Sequence, residues 1–337
     1  MKTVSVSIEN LCVPCHCGCR HCLLSSQHCA TGVDYHRGQA FAARFYDWMR
    51  ENRPDLSGLF YVGYCNEFPE LPEHIAFVKK YVPGYDFLQF NGLAFRTEAE
   101  IKHLLETVKA SGIRLIDLTF YGLREYHDRF AGRKGDFDFL LRILRVAEDV
   151  SLDVAVSIPL TMENAGEMEP LFAVLTAYKV KQYSVFLPHD KGRGAGLAGQ
   201  RVTKAVFESL PQTVRDNFIR IPHKTEGEWL AMDRLPTAET RALTLALTPE
   251  NMDRLETMDP GRIIRELEAM DDAYYAAMPP AEELARMYGQ PDSQKLYRFR
   301  DLYLHWQKQY LRDHPLNIPD MNDERHSFSV RFYNERP

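Results

Sequence analysis

Residues 12–22 read CVPCHCGCRHC, and within that run Cys15-x3-Cys19-x2-Cys22 is the only triple with three-then-two spacing. Three thiolates so placed can hold three irons of a [4Fe-4S] cube and leave the fourth iron without a protein ligand. An open metal position is what a site needs if it is to activate a substrate or cofactor, as in open catalytic zinc sites. A zinc reading stands beside it, because Cys12-x2-Cys15 and Cys19-x2-Cys22 form two knuckle-like pairs. Only three residues part the pairs, whereas zinc sites built from two such pairs usually have about 12 or more between them. A structural zinc would also leave unexplained why the loop directly follows a first strand. In the cluster reading Cys12, Cys17 and Cys29 remain as free thiols near the site, with an auxiliary-ligand role as the alternative.

The distribution of cysteine limits the class of protein. Six of seven lie within the first 29 residues, and none follows Cys65. A disulfide-stapled chain would spread them and would usually be short. The composition is that of a globular protein: 337 residues, 45% hydrophobic, 41 Lys+Arg against 47 Asp+Glu, net charge −6. That balance offers no basic footprint, so nucleic-acid binding is not expected. The opening segment MKTVSVSIENL alternates polar and apolar residues, which is not the apolar core of a signal peptide. No stretch reaches the ~18 apolar residues of a membrane span. The expected setting is a reducing cytoplasm.

The elements that must position the cysteines follow from periodicity. Residues 2–8 alternate with β-branched residues on one face and predict a strand, and the cysteine loop follows it. Strands are then expected at 59–63, 85–90, 113–122, 152–158 and 181–187. Helices are expected at 36–52, 72–82, 97–111, 137–150 and 164–178. Apolar strands separated by helices imply parallel pairing through right-handed crossovers. Six such units are two short of a full barrel, so the expected fold is α/β, a partial (β/α)6 TIM-like barrel with chemistry at the carboxyl ends of its strands. From about residue 202 no convincing strand is expected before 328–333, and helices are expected at 237–258, 261–277, 281–288 and 292–313. The expected division is a barrel over 1–200 and an α-rich region over 201–337 that caps it or recognises substrate.

With the cysteine loop after strand one and the units in this order, the chain resembles the radical S-adenosylmethionine (radical SAM) superfamily. GYCNEFPEL (63–71) resembles that family's Gly-Gly-Glu-Pro motif, with Tyr64, Cys65 and Asn66 as the departure. FNG (90–92) resembles its Thr-Asn-Gly strand ending. LTFYGLREYHDRFAGRKGDFD (118–138) resembles its stretch with Ser-x-Asp-Gly, then His-Asp, Arg-Gly and Gly-x-Phe. PHDKGRG (188–194) resembles its Pro-x-Gly-Arg-Ala segment. The resemblance covers residues 1 to about 200.

The resemblance implies a [4Fe-4S] cluster on Cys15, Cys19 and Cys22, and S-adenosylmethionine chelating the open iron. It implies reductive cleavage to a 5′-deoxyadenosyl radical that abstracts hydrogen from a substrate, with the protein binding, orienting and excluding side reactions, in an oxygen-sensitive enzyme. His21 takes the aromatic position before the third cysteine, beside the adenine. The Gly63 backbone and Glu67 meet the SAM ammonium, with the Cys65 or Asn66 backbone as substitutes for Glu67. Asn91, Thr119 and Ser157 end strands three to five as ribose or carboxylate contacts, or else as strand-terminal hydrogen bonders. Leu187 packs on adenine. Cys65 stands where a thiol could return a hydrogen atom to a substrate radical; its plainer reading is a small buried side chain. His127-Asp128 orders the loop entering a helix, or transfers protons. Arg193 meets an anion, or merely lies in a turn. Tyr274, Tyr275, Trp306 and Tyr310 read as core.

The implied partners are a reduced flavodoxin- or ferredoxin-type electron donor and a substrate. A peptide or protein substrate, as for a maturase, is suggested by the motifs of strands two to four. The cysteine-free C-terminal region leaves no ligands for SPASM-type auxiliary clusters, and the early cluster loop leaves no N-terminal peptide-recognition domain. Small-molecule substrates (a sugar, nucleoside or amino acid) are therefore the alternative within enzymes. A non-enzymatic Fe-S or zinc protein is the alternative outside them.

Overall fold

The computed structural model describes residues 1–237 and 239–316. The strand expected at 328–333 and the polar segment around it lie outside the described residues. The first half alternates as the periodicity requires: β1 (Lys2–Asn10), α1 (Tyr35–Asn52), β2 (Phe60–Val62), α2 (Leu71–Tyr81), β3 (Phe87–Gln89), α3 (Glu98–Ala110) and β4 (Leu115–Thr119). A short helix α4 (Arg124–Ala131) precedes α5 (Asp136–Asp149), β5 (Asp153–Pro159), α6 (Met168–Leu175) and β6 (Val180–Phe186). Local signals set the boundaries. Asp34 caps α1 by accepting from Arg37 N, and Thr97 with Glu100 forms a reciprocal capping box on α3, each satisfying backbone donors that a helix start leaves without partners.

The second half carries α7 (Lys204–Ser209), α8 (Gln212–Asp216), β7 (Lys224–Thr225), α9 (Glu226–Leu230), β8 (Thr240–Ala246), α10 (Pro249–Thr257), α11 (Pro260–Ala277), α12 (Ala281–Tyr288), β9 (Leu296–Tyr297) and α13 (Phe299–Asp313). All four expected helices appear: α11 and α12 close to the expected bounds, α10 and α13 with later starts, at Pro249 and Phe299. The expectation of helix from 237 is corrected: TRALTLA is a strand. Ala and Leu favour helices intrinsically, but their period here is two. Leu243 and Leu245 face the apolar layer under α1 and α11, while Ala242 and Thr244 face the other way. Pairing with an open strand edge overrides weak helical propensity. The α4 helix is an addition within a segment read as a loop.

All barrel strands run parallel, in a three-stranded sheet β2-β1-β8 and a four-stranded sheet β3-β4-β5-β6. The fold is thus the α/β partial barrel expected, widened by one strand: β8 lies against β1 in the register Ile8↔Leu245. Between β2 and β3 the sheets are joined through side chains, with Asn66 Nδ2 donating to the Gln89 carbonyl at 2.6 Å. Alternation splits each strand into two faces. Ile116 and Leu118 of β4 pack on the helices, while Asp117 and Thr119 turn inward, where Ser157 Oγ donates to Asp117 at 2.8 Å. No helix of the described residues is long and apolar enough to cross a membrane.

Because β8 completes the sheet beside β1, trimming its apolar face should unfold the barrel as a core lesion would. Leu245→Ala, at a position 7% exposed, is expected to cost about 2–5 kcal/mol in urea unfolding followed by circular dichroism. A loss under about 0.5 kcal/mol would mean that residues 240–246 are not part of the barrel.

Candidate active site: a three-thiolate loop

The segment from Val13 to Gln27 has no regular structure, so its shape is set by what its backbone bonds to. Val13 O accepts from Tyr64 N at 2.7 Å, and Cys15 N donates to Gln27 O at 3.0 Å. His16 N donates to Gly92 O at 2.9 Å, Gly18 N to Ala131 O at 2.8 Å, and Arg20 N to Phe130 O at 3.0 Å. The ends of β2, β3 and α4 therefore grip the loop at separate points. Gly92 (φ 76°) follows β3 in the left-handed region, and a Cβ there would overlap the Cys15 sulfur, so only glycine lets the backbone approach so closely.

A second clamp comes from after β6. Arg193 Nε donates to Cys19 O at 2.9 Å, its other nitrogens to Ser26 O at 2.8 Å and Ser26 Oγ at 2.9 Å, and its backbone N–H to Cys22 O at 3.0 Å. Gly192 (φ 52°) precedes it, and a Cβ there would strike the Cys22 and Leu23 carbonyls. Neither expectation for Arg193, an anion contact or a plain turn, describes this arrangement. The side chain fastens the peptide carbonyls of the cysteine loop.

Hydrogen bonding sorts the cysteines. The sulfurs of Cys15, Cys19 and Cys22 accept: from Cys17 N at 3.4 Å, Tyr121 Oη at 3.0 Å and Ser26 N at 3.2 Å. Cys17 and Cys65 donate: Cys17 Sγ lies 3.9 Å from both Asp136 oxygens, and Cys65 Sγ 3.1 Å from Pro14 O. Donors aimed at a sulfur favour thiolate, and acceptors aimed at it favour thiol. Hydrogen bonding with Cys17, the largest influence, brings the Cys15 thiol down to about 6 against the opposing effect of burial. The same neighbour and Tyr121 lower Cys19. Cys17 is pushed far up by its bonds to Cys15 and Cys19, and burial raises Cys65 to about 12 and Cys12 to about 11. The acceptor trio is the trio of the spacing argument, and its soft thiolate donors fit an iron–sulfur cube. Among the described residues no three His, Cys, Asp or Glu side chains close on a single metal ion. A tetrahedral zinc would need its sulfurs about 3.8 Å apart, from Zn–S bonds of about 2.3 Å. A cube asks only that each sulfur reach its own iron.

The other expected residues divide. His21 sits between Tyr121, Phe130 and Phe186, with ring centroids at 5.2, 5.8 and 6.3 Å. Burial lowers its pKa to about 3, so the ring is neutral, and its buried Nδ1 has no hydrogen-bond partner. Gly63 (φ 75°) ends β2 beside the loop, its N–H on Asn10 O at 2.7 Å. Glu67 does not present a free carboxylate: its oxygens accept from Ala94 N and Arg96, both at 2.5 Å, so it holds the β3–α3 connection. Asn91 and Thr119 bond each other, with Thr119 N on Asn91 Oδ1 at 2.8 Å and Asn91 Nδ2 on Thr119 Oγ1 at 3.1 Å. Ser157 serves Asp117. The expectation for Leu187 is corrected. It is 2% exposed in the core with Val185, because strand alternation sends 185 and 187 to the helices and gives Phe186 to the His21 side. Cys65 lines the wall under the loop, its thiol turned to Pro14 O, as its plainer reading has it. Asp128 accepts from Gly135 N and from Phe137 N at 2.5 and 3.0 Å, ordering the entry to α5. Trp306 is buried with its Nε1–H on Glu226 Oε1 at 2.9 Å.

Three groups at the site carried no signal that sequence reasoning could use: Arg193 as a clamp, Tyr121 on Cys19, and the pair Asp136–Arg133. Asp136 Oδ1 accepts from Arg133 Nε at 3.0 Å and Oδ2 lies 3.1 Å from His127 Nε2. They become neighbours of the cysteines only because α4 and α5 fold back over the loop. Asp117 is a fourth: it is 4% exposed, and burial raises its carboxyl to about 7 against the Ser157 hydrogen bond.

No family model matches the chain. Two curated proteins are similar to it over part of their length. Fe-coproporphyrin III synthase of Methanosarcina barkeri is 23% identical over 99 residues, 29% of this chain and 25% of that protein. The AdoMet-dependent heme synthase of Nitratidesulfovibrio vulgaris is 24% identical over 106 residues, 31% of this chain and 29% of that protein. Each match thus spans under a third of the relative's length. Among solved structures, anSMEcpe with bound AdoMet superposes with a TM-score of 0.47 at 13% identity, covering 92% of this chain and 97% of that one. With its three-thiolate loop at the carboxyl end of β1, the chain resembles the radical SAM superfamily.

Asp117 makes a pH-dependent contribution that can be measured apart from any activity. Its folded pKa of about 7 lies above an unfolded value of about 3.9, so the folded state holds the proton longer. Below about pH 4 both states are protonated and nothing is lost. Between about pH 4 and about pH 7 the unfolded state releases this proton while the folded state keeps it, so the burial penalty develops across that window, up to about 4 kcal/mol. Asp117→Asn should therefore gain stability relative to the parent chain as pH rises from about 4 to about 7 in urea titrations. A difference that does not change with pH would show that Asp117 is paired as a carboxylate in the fold.

Proposed function

We propose that the protein is a radical SAM enzyme that holds one [4Fe-4S] cluster on Cys15, Cys19 and Cys22 and acts on a peptide or protein substrate in the manner of a maturase. The observation that carries the reading is the sorting of the sulfurs: the three with the diagnostic spacing accept hydrogen bonds, while the adjacent Cys17 donates one. When bound, the reduced cluster and S-adenosylmethionine supply a 5′-deoxyadenosyl radical that removes hydrogen from the substrate. The chain's own residues do the binding and orienting. The loop, gripped by β2, β3, α4 and Arg193, would hold the cluster through Cys15, Cys19 and Cys22. The carbonyls of the Gly63–Asn66 turn take the methionyl ammonium, since Glu67 is committed to Ala94 and Arg96. Asn91, Thr119 and Ser157 line the carboxyl ends of β3 to β5 on the ribose and carboxylate side. Neutral His21 offers its face and a spare ring nitrogen to the adenine.

The peptide reading is supported by the order of motifs in strands two to four. A second reading, a small-molecule substrate, is supported by the names of the two curated relatives, both of which concern porphyrin-type molecules. A reduced flavodoxin- or ferredoxin-type donor in a reducing cytoplasm completes the proposal, with the barrel over 1–200 widened by β8 and the α-rich remainder of 201–337 recognising substrate.

Anaerobic reconstitution with iron and sulfide, followed by dithionite and S-adenosylmethionine, should release 5′-deoxyadenosine detectable by chromatography. Cys15→Ala, Cys19→Ala and Cys22→Ala should each lose the cluster's iron and at least about 100-fold of the cleavage rate. Cys17→Ala should keep the iron. A loaded protein that binds S-adenosylmethionine without cleaving it would refute the enzyme reading, and iron loss on Cys17→Ala would refute the ligand assignment.

A further inference from the structure

Tyr121 follows β4 and points its phenol at the cysteine loop. The side chain is 3% exposed, and its Oη lies 3.0 Å from Cys19 Sγ. A phenol can donate to a sulfur, and a thiolate has no proton to give in return. The bond therefore runs from oxygen to sulfur, and it is charge-assisted in a site largely closed to water.

Everything around Tyr121 holds that direction. Its backbone N–H donates to His127 Nδ1 at 3.2 Å, and its carbonyl accepts from Asn164 Nδ2 at 2.6 Å. Since His127 Nδ1 accepts, its Nε2 carries the proton and donates to Asp136 at 3.1 Å. The backbone of Tyr121 is thus tied, through one imidazole, to the Asp136–Arg133 ion pair. The ring is wedged among Phe130, His127 and His21, with centroids at 4.7, 4.9 and 5.2 Å. A side chain fixed on all sides cannot follow the sulfur or leave it, so the donor stays in place whichever charge the sulfur carries.

Hydrogen bonds to the sulfurs of an iron–sulfur cluster are one of the terms that set its potential, and groups behind the metal ligands tune the metal. A donor stabilises the electron-rich reduced form more than the oxidised form. We propose that Tyr121 is a positioning residue that, through its hydrogen bond to Cys19, raises the reduction potential of the bound cluster and so sets how readily the cluster takes its electron. The inference rests on the cluster assignment made above and extends it to a residue that is not a ligand. Asp136, 3.9 Å from Cys17 Sγ, places negative charge on the same side of the loop. Arg133 and His127 compensate that charge, and the phenol is the neutral donor at Cys19 itself.

The test compares the reconstituted parent protein with Tyr121→Phe, which keeps the ring packing and removes only the donor. In redox titrations followed by electron paramagnetic resonance of the reduced cluster, the variant should show a more negative midpoint. After exchange into D2O, deuterium electron–nuclear double resonance should show a coupled deuteron in the parent that is missing in the variant. Equal midpoints in two loaded proteins would overturn the inference and leave the cluster assignment standing. A parent chain that takes up no [4Fe-4S] cluster would overturn both. Should Tyr121→Phe fail to load, the full-length protein is made with fluorotyrosine in place of tyrosine. The more acidic phenol is a stronger donor and should move the midpoint positive; an unmoved midpoint would overturn the inference.

Discussion

Three thiolates must be held apart on a loop that has no regular structure of its own. From that constraint the rest of the site follows. At i, i+4 and i+7 the three cysteines could share one face of a helix, yet the segment forms neither helix nor strand, so no ladder of its own fixes them. The loop borrows its rigidity instead. Its amides find carbonyls at the ends of β3 and α4, and its carbonyls find Tyr64 N and the guanidinium of Arg193. Each borrowed bond is worth only about 1 kcal/mol. Their anchors, however, belong to elements that pack independently, so the loop cannot move without several of them moving together.

This arrangement explains where the chain departs from simple patterning. Left-handed glycines stand where loop and scaffold approach most closely, Gly92 behind Cys15 and Gly192 behind Cys22. The buried Asp136 would be costly alone, but it is compensated by Arg133 and His127, and those partners also orient Tyr121. The ion pair and the aromatic wedge are one assembly: removing His127 would free both the Tyr121 backbone and one side of Asp136.

Much of this could be read in the sequence, and the boundary of what could be read has a physical origin. The first six strands and their helices are local signals, since Val6 and Ile8, or Ile116 and Leu118, repeat with the period of a strand whatever lies elsewhere. The cysteine trio is also local, because its spacing alone sets it apart from Cys12, Cys17 and Cys29. The rest depends on partners far along the chain. TRALTLA becomes β8 only because β1 offers an edge, and a sequence rich in Ala and Leu gives no hint of that. Arg193 reaches a loop more than 160 residues earlier, and Tyr121 meets Cys19 across a separation of 102. Leu187 and Phe186 were separable only by the phase of β6, and a slip of one residue exchanges the inside of the barrel for its outside.

The same phase argument defines the floor beneath the cysteine loop. Inward positions on β4 and β5 carry Asp117, Thr119 and Ser157, and their bonds run sideways from strand to strand rather than upward. Among the described residues Ser157 donates to the buried carboxyl of Asp117, and burial outweighs that bond in its proton affinity. The walls are different: His21, Phe186 and Tyr121 are aromatic, with Tyr121 buried and the other two half-buried. A molecule lying against the loop would meet flat apolar faces on one side and a polar, proton-holding floor on the other. That asymmetry joins the alternation of β4 to β6, which supplies the floor and Phe186, to the loop and the turn after β4, which supply His21 and Tyr121.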